Sequence, residues 1–103
     1  MSVLIKLAQQ ALQQAEQMEQ LAQDDDWEGV TNLQVTHNQT VSRLMTAEIP
    51  AEEVKEVRQI LLTTKETNNR TMQLAEQVKQ KLVKDKKTLG QAAKMQKALD
   101  AFR

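Results

Sequence analysis

One seam dominates this chain. Val54, Val57, Leu61, Thr64, Asn68, Thr71, Ala75, Val78, Leu82, Asp85 and Leu89 follow one another in alternating steps of three and four, holding heptad register across ten intervals. That spacing predicts a helix over 50–88, which at 1.5 Å per residue is on the order of 55 Å long. No neighbour of ordinary length can bury such an element from end to end. The rest of the chain must supply shorter helices and something to cover the overhang.

The remaining periodicities meet that demand. Leu4, Ala8, Ala11, Ala15, Met18 and Ala22 mark an amphipathic helix over 3–23, whose small residues admit a close neighbour. Val30, Leu33, His37, Val41, Leu44 and Met45 mark a second over 27–47, with Asp25 and Glu28 spaced as a capping box at its start. Pro50 suits the first position of the third helix, with Glu52 and Glu53 in its first turn. After a break at Gly90, Ala92, Met95, Leu99 and Phe102 define a short fourth helix over 91–102. With two Gly and one Pro among 103 residues, few turns are available. The expected fold is all-α: one domain over 1–103, an antiparallel helical bundle with a long third helix and a short C-terminal fourth helix. Short connections should make the first three helices antiparallel neighbours. A helix as short as the fourth is marginal alone, so 90–103 is expected to act as a detachable cap.

Composition removes most chemistry. Zero Cys excludes disulfides, thiol nucleophiles and thiolate metal sites, and fits a reducing cytoplasm. Trp27 and Phe102 are the two aromatics, too few for a base-stacking platform and better suited to anchoring helices. A formal net charge of zero argues against direct nucleic-acid binding, although 1–42 is mainly acidic and 79–103 mainly basic. No apolar run approaches membrane-spanning length, and Lys6, Gln9 and Gln10 interrupt the opening where a signal peptide would be continuous. Asp24-x-Asp26-x-Glu28-Gly29 imitates a calcium loop, but Val35 stands where the bidentate carboxylate belongs. His37 is the sole histidine, on an apolar stripe without triad partners, and reads as a packing residue. No enzyme activity, metal or cofactor is expected.

What remains is binding. Thr64, Asn68 and Thr71 interrupt the third-helix seam, either to fix register or to line a wet groove that a partner helix completes. The partner-binding residues expected are Val41 and Leu44 on the second helix with Val57, Ile60, Leu61, Thr64, Asn68 and Thr71 on the third. Leu99 and Phe102 are expected to seat the regulatory cap over that groove.

Nearly the whole chain resembles the FliT-type flagellar export chaperones. Asp26-Trp27-Glu28 matches the polar turn, aromatic and acidic residue that follow the family's first helix. Val30, Val41 and Leu44 fall at its second-helix aliphatic spacing; Ile60-Leu61, Asn68, Leu74-Ala75 and Lys81-Leu82 resemble its Pro-led third helix. Lys97-Ala98-Leu99-Asp100-Ala101-Phe102 resembles its basic, Ala-rich close, with Phe for the usual Tyr. Gln34 stands where the family often has an acidic residue, and 63–71 is unusually rich in Thr and Asn. The resemblance implies a cytoplasmic chaperone that holds the filament-cap protein FliD before export, with the export ATPase complex and a flagellar transcription regulator as further partners. A monomer or weak homodimer would serve. The competing readings are a generic helical adaptor, a coiled-coil homodimer paired along the third helix, and a chaperone of another secretion substrate.

Overall fold

The structure, a computed structural model, describes residues 2–84 and 89–102, with side chains described for 2–81 and 93–102. Within these residues the chain is all helix: α1 Val3–Gln23, α2 Trp27–Met45, α3 Ala51–Lys84 and α4 Leu89–Phe102. The long third helix and shorter fourth are as the periodicity predicts. The 34 residues of α3 span about 51 Å by helical rise, close to the 53 Å long axis of the molecule. The expected extension of α3 to residue 88, including Asp85 of the seam, lies outside the described residues. Gly90, expected as a break before the fourth helix, falls inside the first turn of α4.

Local chemistry sets each boundary. The Ser2 hydroxyl accepts from the amides of Leu4 and Ile5, starting α1. At its other end Asp26 N–H donates to the Leu21 carbonyl at 2.8 Å and Asp25 N–H to the Ala22 carbonyl at 3.0 Å, the paired bonds of a Schellman turn. That turn needs a left-handed residue. Asp25 supplies it at φ 63°, a conformation Asp tolerates better than most side chains. The Asp25 carboxylate accepts from the Trp27 indole at 2.7 Å, so the cap of α2 passes to Asp26, whose Oδ1 accepts from Gly29 N–H at 3.0 Å. The expected Asp25–Glu28 capping box is thus displaced by one residue. A Cβ at Gly29 would stand 2.6 Å from Asp26 Oδ2, so glycine leaves room for that cap. All three aspartates of the calcium-like run have structural work, Asp24 accepting weakly from Gln20. At the far end Thr46 turns its hydroxyl onto the carbonyls of Ser42 and Arg43, and α2 stops two residues short of the expected 47.

Packing departs from the expected order of neighbours. α1 packs against both α2 and α3, and α4 against both α3 and α2. The backbones of α2 and α3 stay apart: among the described residues no Cα pair between them comes within 8 Å, and the two helices meet only through side chains such as those of Leu44 and Val57 or His37 and Asn68. The reason is the Ala face of α1. Ala8, Ala11 and Ala15 are fully buried, so both neighbours draw close to α1 and are held apart from one another. Arg70 Nε donates to Glu19 Oε2 at 2.8 Å, fixing the α1–α3 register at the surface.

The core is consequently in two pieces. Ile5, Ala8, Leu44 and Val57 form one, with Leu61 and Ile60 at its edge. Ala22, Trp27, Val30, Ala75, Met95, Ala98 and Leu99 form the other, joining α4 to the rest. Between them lies a polar layer. Gln14, His37, Thr64, Thr67 and Thr71 are all buried there.

Candidate cleft between the second and third helices

Because α2 and α3 stand apart on α1, a cleft of about 580 Å³ opens between them, with the C-terminal end of α4 at one end. Val41, Leu61 and Phe102 give it apolar walls; Gln34, His37 and Asn68 give it a polar side; Lys65 is its charged lining residue. This is the mixed character of a ligand site.

His37 organises the polar side. It is 1% exposed, and its ring bridges two other helices: Nδ1 lies 3.3 Å from Gln14 Oε1 on α1 and Nε2 lies 3.1 Å from Asn68 Nδ2 on α3. Burial holds its pKa below the ordinary imidazole value of 6.5, favouring the neutral ring. With the carboxamides so oriented, one tautomer fits. Nδ1–H donates to Gln14, and bare Nε2 accepts from Asn68. Beside it Gln34 Nε2 donates to Asn38 Oδ1 at 2.8 Å.

The threonines of the α3 seam are satisfied within the helix. Thr64, Thr67 and Thr71 hydroxyls donate to the carbonyls of Ile60, Thr63 and Thr67 at 2.9, 2.9 and 3.2 Å. A partner need not complete them. Within the described seam Val57, Thr64, Thr71 and Ala75 are each 3% exposed or less, packed inside the chain itself.

The expected binding residues divide into two groups. Val41, Leu61, Thr64 and Asn68 line the cleft together with Phe102. Leu44 and Val57 lie beneath it, fully buried against Ile5 and Ala8, while Ile60 packs at the edge of that same cluster. Thr71 is fully buried. Leu99 seats α4 in the Trp27 cluster, beyond the open part of the cleft. α4 therefore covers the Trp27 end of the α2–α3 interval, leaving the stretch beside Val41 and Leu61 uncovered. Gln34, Asn38, Ser42 and Lys65 also line the cleft and were not expected there. Their signal was helical spacing: 34, 38, 41 and 42 share one face of α2, as 61, 64, 65 and 68 share one face of α3.

Of the basic C-terminal run, Lys94 and Lys97 are exposed, Lys79 donates to Gln96 across the α3–α4 contact, and Lys86 and Lys87 lie outside the described residues. Among the described residues no helix is long and apolar enough to cross a membrane.

A family model described as "Flagellar protein FliT" matches residues 5–99. No curated protein and no solved structure gives a significant match.

Proposed function

The chain belongs to the FliT family of flagellar proteins, and from that membership we propose that it is a cytoplasmic chaperone holding the C-terminal region of the filament-cap protein FliD until export. Membership supports a flagellar export-chaperone role in general; the choice of substrate is our reading. The observation that carries it is the separation of α2 and α3, which leaves a cleft walled by Val41 and Leu61 and already flanked by one helix of the chain itself. Apolar anchors on two parallel ridges are the requirement for receiving an amphipathic helix. Sequestering the cap protein's terminal helices there would keep them from assembling early. The export ATPase complex and a flagellar transcription regulator are proposed as further partners, meeting the exposed lysines of α4 or the same cleft.

Isothermal titration of the full chain with the C-terminal segment of the cap protein tests this. Saturable binding with a negative heat-capacity change, the mark of apolar burial, is expected. Absence of binding, with another secretion substrate bound instead, would reassign the substrate.

A further inference from the structure

Two acceptors on the polar side of the cleft have no donor. Gln34 Oε1 and Asn68 Oδ1 are buried side-chain oxygens without a hydrogen-bond partner, although Gln34 is only 4% exposed. A buried carbonyl oxygen left unpaired costs on the order of 1–3 kcal/mol. Both such atoms belong to residues that line this one cleft.

We propose that the cleft recognises a partner helix whose apolar seam is interrupted by a carboxamide, Asn or Gln, and that this amide supplies the donors Gln34 Oε1 and Asn68 Oδ1 lack. The inference rests on the reading of the cleft as the partner site. A helix is the occupant because α4 already packs against both α2 and α3 at one end, and the open stretch continues that interval. The donor is neutral because Lys65 lines the same cleft and no carboxylate does, so an ammonium or guanidinium would be desolvated beside a like charge. It is a carboxamide rather than a hydroxyl because a helical Ser or Thr turns its one proton onto its own backbone, as Thr64 and Thr67 do here. The carboxamide's own oxygen turns to the open side of the cleft, where Asn69, next in sequence to Asn68, carries an amide donor. Both oxygens are covered as they stand, and they meet the incoming amide by small turns about their last torsions, which are broad and soft in carboxamides, while Asn68 Nδ2 stays on His37 and Gln34 Nε2 on Asn38.

A displayed library of amphipathic helices with a constant apolar seam and one randomised central seam position, selected on the full chain, tests the proposal. Asn and Gln should be enriched about tenfold over Leu at that position, the equivalent of one hydrogen bond of ~1.4 kcal/mol. The enrichment should vanish on Gln34→Met, which keeps the length of the side chain and removes the acceptor. Asn68→Leu should act likewise; because it also strips His37 of a donor, Gln34→Met with an unchanged helical melt carries the decision. Enrichment of Leu or Ile, persistence of the Asn/Gln preference on Gln34→Met, or no helix selected at all overturns it. The cap-protein segment is titrated separately. Should that segment fail to bind while the Asn/Gln preference stands, the substrate assignment falls and the recognition rule remains.

Discussion

His37 Nε2 lies 3.1 Å from Asn68 Nδ2, a hydrogen bond that spans two helices whose backbones do not pack against each other. It ties the walls of the cleft together at their base. Asn68→Leu leaves Nε2 buried and unpaired, and should destabilise the fold by about 1–3 kcal/mol. Denaturant melts of the variant check this; a change under ~0.5 kcal/mol would mean that the separation of α2 and α3 is fixed by α1 alone.

The same ring makes stability depend on pH. Burial lowers the folded-state pKa of His37 below 6.5, so between the two values the unfolded chain binds a proton that the folded chain does not. Stability is fully present above 6.5 and falls as pH drops through this window, by at most ~1.4 kcal/mol per pH unit. Thermal melts from pH 7.5 to 5.5 should show the decline, and His37→Gln should flatten it.

Trp27 anchors the other core piece. It is 7% exposed against Val30, Met95 and Leu99, and donates its indole proton to Asp25. Trp27→Ala should destabilise by about 3–5 kcal/mol, while Trp27→Phe should lose much less. An emission maximum typical of a water-exposed indole in the folded wild type would contradict this packing.

Asp25 combines a left-handed backbone with that indole bond. Asp25→Asn keeps both features and should be near neutral. Asp25→Val, β-branched and without an acceptor, should destabilise by about 2–5 kcal/mol, the left-handed backbone and the orphaned indole donor adding. Chemical denaturation of the pair separates the two outcomes.

Helix number and most boundaries were legible because the acidic turn at Asp25 and Pro50 punctuate otherwise uninterrupted helical periodicity. Which helices touch was not. Short turns imply neighbours, yet the Ala face of α1 takes both α2 and α3, and only three-dimensional packing reveals that they are splayed. Leu44, Val57 and Val41 share an apolar stripe pattern in the sequence, and nothing in it separates the two that face α1 from the one that faces the cleft. Thr64 and Thr71 looked like groove polarity, but a Thr hydroxyl finds its acceptor one turn back in its own helix. Asn68 has no such local partner, and the polar signal in the seam was real at that residue. The depth of α4 was also hidden. A short helix reads as loosely held, whereas Met95, Ala98 and Leu99 are fully buried, and each large side chain among them adds about 1.5–3 kcal/mol of burial.

The most direct measurement is the affinity of the cap protein's C-terminal segment for the full chain and for Val41→Asp, by calorimetry. Val41 is half-buried on the cleft wall and outside both core clusters, so the substitution should leave the melting temperature nearly unchanged. The account predicts that a carboxylate placed there weakens binding by at least about tenfold, through loss of an apolar wall and the cost of desolvating the charge. Equal affinity for the two proteins, both folded, would contradict the assignment of the α2–α3 cleft as the binding site.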